Sequence, residues 1–327
     1  MGFCLGIEST AHTFGVGIVD TQCNVLANEK KSYTSEDAGI KPREAADFHM
    51  KNASEILQSA LKKTGLTWKD LNVIAFSQGP GLGPCLGVGC TTARTLSMLH
   101  RIPLLGVNHC VAHIEIGKKL TGSKDPIIAY VSGGNSQIIG YESRRYRVFG
   151  ETLDIGVGNL FDVFARDLGL GFPGGPKLDQ RYFGAEAYIP LPYSVKGMDL
   201  VFSGLLTAAK KQAGKMDETD LCYSLMHTAL AMITEVTERA LAHTGKEEVL
   251  LTGGVAASKA LQKMMQEMCD ARGAKLYIVP KEYAMDNGAM IAWLGLVEFL
   301  AGKRMKLENT QVNQRFRTDH VNVHWMK

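Results

Sequence analysis

The chain has 327 residues, 36 Lys and Arg against 33 Asp and Glu, a net charge of +3, and 45% hydrophobic and 21% charged residues. This is an ordinary globular balance with enough apolar surface for two cored domains, too mildly basic to demand or exclude nucleic acid. Seven cysteines without a C-x-x-C pair exclude a disulfide framework and read as the reduced thiols of a cytoplasmic protein. The start, MGFCLGIEST, has neither a basic region nor a long apolar core, and no apolar run approaches the ~20 residues of a membrane helix, so no membrane association is expected.

In chain order, FCLGIES and FGVGIVD read as a strand hairpin, with a third strand near Val25 to Tyr33. Pro42 opens an amphipathic helix whose apolar stripe is Ala46, Met50, Ala53, Leu57 and Leu61, ending near Gly65. LNVIAFS is a strand, GPGLGPCLGVG a Gly/Pro turn, TTARTLSMLH a helix and IPLLGVN a strand. The same order then recurs. IIAYVS, QIIGY and YRVFGE are strands, a helix covers about Gly158 to Leu168, and an insertion runs from about 171 to 220. A long helix, the strand VLLTGG, a helix from Ala256, the strand KLYIVP and a last helix, Asn287 to Leu300, follow. The doubled order predicts two related α/β lobes, 1–120 and 121–327, joined in the polar segment near 118–126, with a ligand cleft between them.

His109 and His113 stand four apart in a run that can be helical, so both imidazoles can face one ion. His320 and His324 share the spacing but sit in HVNVHW, whose period-two alternation reads as a strand that separates them. Two imidazoles under-ligate a metal. Asp286, before the last helix, is the candidate carboxylate, with a helix N-cap as its alternative role. The turn Ser132-Gly133-Gly134-Asn135 follows an apolar strand carrying Tyr130 and can present backbone N–H groups to a phosphate. Gly174-Gly175 and Gly253-Gly254 are further glycine turns, the latter expected to lead directly into a helix N-terminus that suits an anion or a nucleoside hydroxyl. Glu8 is either a solvated turn residue or a site carboxylate. GPGLGPCLGVG lacks the lysine of a phosphate loop, and Ser203 lacks a nucleophile elbow. The scattered basic residues read as solvated surface; RRYR and the 196–211 segment are the places where a nucleic-acid groove could run.

GVNHCVAHIEIG, YVSGGNSQ, GETLDIGVGN, FPGGP, GMDLVFSGLLTAA, TGGVAAS and MDNGAMIAWLG, spread over essentially the whole chain, resemble the universal tRNA threonylcarbamoyladenosine synthase family. The likeness is greatest to its archaeal and eukaryotic branch, the catalytic subunit of the KEOPS complex. The resemblance implies the actin/Hsp70/sugar-kinase (ASKHA) fold of two ribonuclease-H-like halves. It implies transfer of a threonylcarbamoyl group from threonylcarbamoyl-adenylate to the exocyclic amine of the adenosine 3′ to the anticodon of tRNA, with release of AMP. It further implies one iron or zinc ion held by His109, His113, Tyr130 and Asp286. Tyr130, Val131, Ser132, Gly133 and Gly134 would contact the adenylate, and Asp162, Gly175, Asp179 and Ser258 its adenosine, beside Gly253 and Gly254. Glu8 or water would accept the amine proton. Implied partners are a kinase-like ATPase subunit and a small dimerising subunit, the latter docking on the helix from Pro42. The family usually carries Glu where this chain has Asp179 and Asn where it has Ser258, which bears on nucleotide contacts. An ATP-binding regulatory protein of the same fold and, more remotely, a metallopeptidase are the alternative functions; no H-E-x-x-H motif supports the second.

Overall fold

The computed structural model describes residues 2–34 and 39–326. Two compact units are formed, one by Met1–Lys119 with Met285–Lys327 and the other by Leu120–Ala284. The second unit therefore does not extend to residue 327 as the doubled element order suggests. The last helix and tail belong with the first unit.

The first unit contains β1 (Phe3–Glu8), β2 (Thr13–Asp20), β3 (Val25–Ser32), α1 (Pro42–Thr64), β4 (Leu71–Gly79), α2 (Gly83–His100), β5 (Leu104–Asn108) and α3 (His109–Thr121). Its sheet order is β3-β2-β1-β4-β5, with β1, β4 and β5 parallel and β2 and β3 antiparallel. The second unit contains β6 (Ile127–Val131), β7 (Ser136–Glu142), β8 (Arg145–Glu151), α4 (Val157–Asp167), α5 (Gly174–Tyr182), β9 (Val195–Lys196) and β10 (Asp199–Leu200). It continues through α6 (Ser203–Gln212), α7 (Glu218–Thr244), β11 (Glu248–Thr252), α8 (Lys259–Arg272), β12 (Lys275–Ile278) and the short α9 (Lys281–Ala284). Its main sheet, β12-β11-β6-β7-β8, repeats the first sheet strand for strand in both order and direction. Helix α10 (Gly288–Leu300) returns to the first unit.

The seating of α10 explains that return. A Cβ on Gly6 would lie 2.1 Å from the Ala292 nitrogen, and one on Gly17 2.2 Å from the Ala289 nitrogen. The helix thus rests backbone to backbone on β1 and β2, which only glycine allows. Almost all of α10 is apolar, and it is buried in keeping with that composition.

Helix α1 buries Ala45, Ala46, His49, Ala53, Ile56, Leu57 and Ala60, while Met50, expected on the stripe, is 60% exposed. Gly65 at φ 69° ends the helix. The glycine-rich stretch expected as a turn is helical from Gly83, because α2 must pass close to the β1 end: a Cβ on Gly89 would lie 2.0 Å from Ser9 Oγ. His320 closes a 3₁₀ turn and His324 lies in irregular chain; both are exposed, so this segment is not the expected strand even though Val321 and Val323 are buried alternately. All seven cysteines are buried thiols. No helix among the described residues is long and apolar enough to cross a membrane.

Candidate metal centre and glycine turn

Parallel strands place their carboxyl ends on one edge of a sheet, so residues distant in sequence converge there. Glu8 ends β1, and His109 follows β5 as the first residue of α3. Asn108 caps that helix by accepting from the Val111 N–H at 3.0 Å. One turn later His113 lies on the same face, with ring centroids 4.8 Å apart and planes at 81°. Asp286 precedes α10. The capping position itself is taken by Asn287, whose side chain accepts from the Met290 N–H at 3.0 Å, and the Asp286 carboxylate is left to face the rings.

Asp286 Oδ1 lies 3.3 Å from His113 Nε2 and 3.5 Å from His109 Nε2, and one donor atom from each residue falls within 4.8 Å of the others. A tetrahedral ion with bonds of about 2.0–2.1 Å holds its donors about 3.3 Å apart, so these two imidazoles and one carboxylate fit a divalent cation in spacing and in donor type. The electrostatics agree. Burial disfavours a charged imidazole, but the carboxylates of Glu8 and Asp286 outweigh it and raise His109 to about 9. Burial likewise opposes a charged Asp286, but the His109 charge and the His113 hydrogen bond hold it well below the usual carboxylate range. His113, for which burial dominates, is lowered. The pocket thus concentrates negative charge and binds a proton where a cation fits.

Glu8 is fully buried. One of its oxygens accepts from the Thr10 N–H at 2.6 Å and the Thr10 hydroxyl at 2.5 Å, and the other lies 3.0 Å from His109 Nδ1. A proton held on Nδ1 by that carboxylate leaves the Nε2 lone pair aimed toward Asp286. Thr10 is a functional neighbour that sequence reasoning passed over; the E-S-T run after a buried strand was its only signal. Glu115, two residues past His113, accepts from Trp325 Nε1 at 2.9 Å.

In the second unit Tyr130 is buried on β6, paired with Gln137 of β7 and Thr252 of β11. Val131 ends that strand, and the turn from Ser132 to Asn135 closes through Ser132 N–H to the Asn135 carbonyl at 2.8 Å and Asn135 N–H to Ser132 Oγ at 3.1 Å. The N–H groups of Gly158 and Asn159, at the start of α4, donate to the carbonyls of Ser132 and Gly133. These bonds use the turn's carbonyls and leave its glycine amides unspent: among the described hydrogen bonds neither Gly133 nor Gly134 donates its N–H. Open space surrounds the Cβ position of Gly134.

The other expected residues join this turn through a chain of contacts. Asp162, one turn along α4, accepts from the Gly174 N–H at 2.7 Å. Gly174 and Gly175 are not a free turn but open α5 behind Pro173. From α5, Asp179 accepts from Ser258 Oγ at 2.6 Å and from the N–H groups of Lys259 and Ala260 at 3.0 and 3.2 Å. Ser258 also caps α8 by accepting from Leu261. Gly253, at φ 95°, lies against the Val131 carbonyl, and Gly254 opens a 3₁₀ turn, so the α-helix starts later than TGGVAAS suggested. The α8 N-terminus, expected as a seat for an anion or a nucleoside hydroxyl, already carries the Asp179 carboxylate.

A family model described as TsaD, tRNA N6-adenosine threonylcarbamoyltransferase, matches residues 21–293. The tRNA N6-adenosine threonylcarbamoyltransferase of Thermococcus kodakarensis is 55% identical over 323 residues, covering 98% of this chain and 99% of the relative. A probable bifunctional tRNA threonylcarbamoyladenosine biosynthesis protein of Methanosarcina mazei is 54% identical over 99% of this chain, which spans 60% of that longer relative. Among solved structures, HypF of T. kodakarensis superposes with a TM-score of 0.64 at 15% identity, over 90% of this chain and 47% of HypF. The fold is the expected ASKHA fold.

Proposed function

Because the chain belongs to the tRNA N6-adenosine threonylcarbamoyltransferase family, we infer that it transfers threonylcarbamoyl from threonylcarbamoyl-adenylate to the exocyclic amine of the adenosine 3′ to the tRNA anticodon. The observation that carries the reading to named side chains is the group of buried His109 and His113 with half-buried Asp286. The amine nitrogen bonds to the carbamoyl carbon, the bond from that carbon to the phosphate oxygen breaks, AMP leaves with the electron pair, and the amine loses a proton. The donor is a mixed anhydride, already activated, so no protein nucleophile is required.

His109, His113 and Asp286 would hold one divalent ion, iron or zinc, with Tyr130 as the further ligand the family resemblance implies. Such an ion supplies Lewis-acid polarisation of the donor and neutralises charge on the departing phosphate. Glu8 has no solvent access and both of its oxygens are engaged, so its role here is to orient His109 rather than to take the amine proton, which passes to water. The Gly133 and Gly134 amides donate to phosphate oxygens. Asp162, Gly175, Asp179, Gly253, Gly254 and Ser258 frame the adenosine.

The protein works in the cytoplasm with companion subunits, a kinase-like ATPase and a small dimerising protein, as in a KEOPS complex. The longer bifunctional relatives support a companion activity, and α1 is the docking surface for the small subunit on this reading. The test is transfer of labelled threonine to tRNA with companion proteins, bicarbonate and ATP. The His109→Ala/His113→Ala variant is expected to lose transfer. Full activity in that variant would remove the metal reading, and nucleotide binding by the wild type without any transfer would favour a regulatory protein.

A further inference from the structure

We propose that the outer edge of the second unit's sheet, marked by Arg144, Arg145, Arg147 and Lys196, is the surface along which the phosphate backbone of the RNA substrate lies; this rests on the transferase reading above. Strand β8 is the outermost strand of its sheet. Arg145 and Arg147 alternate with Tyr146, which is fully buried and packs edge-on against Tyr141 at 5.8 Å. That anchor fixes the facing of the strand and keeps both guanidinium groups on its other face. Arg144 lies in the tight turn before the strand, where Ser143 and Arg144 both have positive φ (51° and 63°), and it is exposed.

At the other end of β8 lies the hairpin of β9 and β10. The Glu151 N–H donates to Asp199 at 3.0 Å, and a Cβ on Gly150 would strike the Met198 carbonyl. Lys196 is exposed on that hairpin. None of these four cations forms an ion pair among the described residues. Several other cations of the unit do: Arg181 with Glu218, Lys210 with Asp167, Arg239 with Glu235, Lys246 with Asp125 and Arg272 with Glu238. Arg166, Lys211, Lys259 and Lys281 also form no ion pair among the described residues but lie on separate helices; what sets Arg144, Arg145 and Arg147 apart is that they follow one another along a single turn and edge strand, with Lys196 on the hairpin beside it.

Length decides what kind of ligand fits. Glu151 pairs with Gln137, beside the turn from Ser132 to Asn135. Strand β8 has 7 residues, and at about 3.4 Å per residue its arginine end lies about 20 Å from that turn. An adenylate held at the turn cannot reach so far, whereas a polyanion with a charge on every unit can run along the edge while one of its bases reacts. The competing explanation is that charge on an exposed strand merely prevents edge-to-edge pairing.

The test uses the full chain with the companion proteins that sustain transfer. Unmodified tRNA is titrated against wild type and against Arg144→Gln/Arg145→Gln/Arg147→Gln, with and without Lys196→Gln. Steady-state transfer and fluorescence anisotropy are read at several salt concentrations. The expected result is a KM for tRNA raised about tenfold or more, kcat within about twofold, and a log affinity against log salt slope flattened by about 0.7–0.9 for each contact removed. Lys263→Gln/Lys275→Gln, which removes charge from α8 and the opposite sheet edge, should match wild type. Unchanged KM and slope in the triple variant would overturn the proposal and leave edge protection, and an equal loss in the control would reduce it to an effect of net charge. Should wild type bind tRNA but transfer nothing, the transferase reading fails, while the anisotropy comparison still decides the surface.

Discussion

Replacing Glu8 with Gln isolates the link between the end of β1 and the candidate metal centre. The Glu8 oxygen that accepts from both the Thr10 N–H and the Thr10 hydroxyl must remain an oxygen, since both of those groups donate. The new amide nitrogen is then forced toward His109 Nδ1, 3.0 Å away. Two donors cannot share that contact, so the imidazole moves its proton to Nε2 and loses the lone pair that faces Asp286. Loss of such a carboxylate–histidine orienter lowers metal affinity about 10–100-fold, or roughly 1.4–2.8 kcal/mol. Competition of the metal-free protein against a chromophoric chelator, with zinc and with iron(II), measures this directly and without reference to turnover. Thr10→Val removes the hydroxyl but keeps the backbone donor, and should fall between wild type and Glu8→Gln. Wild-type affinity in a folded Glu8→Gln variant would refute the orienting role and return Glu8 to the pool of candidate proton acceptors.

A raised His109, near 9, means an incoming ion displaces a proton, so apparent metal affinity should rise about tenfold per pH unit from pH 6.5 and level off near 9; a pH-independent affinity would contradict the coupling. In the metal-free chain the same proton stabilises the fold fully below about 6.5, the unfolded value, and its contribution is lost as pH rises through about 9, so thermal melts in chelator should show a lower Tm at pH 9 than at 6.5. Gly17→Ala places a Cβ 2.2 Å from the Ala289 nitrogen and should destabilise the chain by at least about 1–3 kcal/mol in chemical denaturation; a neutral result would mean α10 is not seated as described. Asp179→Asn weakens the seal on the α8 N-terminus, with an expected loss of about 1 kcal/mol in stability, whereas a stability gain would indicate that the carboxylate is strained there.

Much of this architecture was legible because periodicity and punctuation agree with it. The hairpin of β1 and β2, the helix stopped at Gly65 and the recurrence of the element order all follow from local pattern. Two of the misreadings share a cause: close tertiary approach to a glycine, which local pattern does not encode. Gly83 to Gly89 look like a turn by propensity, yet α2 needs glycine to pass Ser9. Gly6 and Gly17 look like ordinary small strand residues, yet they seat α10 and so assign the tail to the first unit. At the site, the four-residue spacing of His109 and His113 was visible, but the Thr10–Glu8–His109 chain was not, because it joins residues about a hundred positions apart across a parallel sheet.

Two of the glycine turns, before α8 and between β6 and β7, were expected to seat a ligand on backbone amides, and the structure distinguishes them. At α8 the amides of Lys259, Ala260 and Leu261 are already bonded to the Asp179 carboxylate and the Ser258 hydroxyl. A second anion there would face a resident one and find no donors. At the Ser132–Asn135 turn the opposite holds: α4 takes the carbonyls, and the two glycine amides have no described acceptor. Asp179 and Ser258, where the family resemblance implies Glu and Asn, are therefore one coupled feature, a short carboxylate bonded to a short hydroxyl at 2.6 Å over a helix end. With about four lone-pair sites and three hydrogen bonds already accepted, Asp179 can take one more donor. That suits a single ribose hydroxyl, not a phosphate. On the proposed reading, the adenylate then lies with its sugar toward Asp179 and its phosphate toward Gly133 and Gly134.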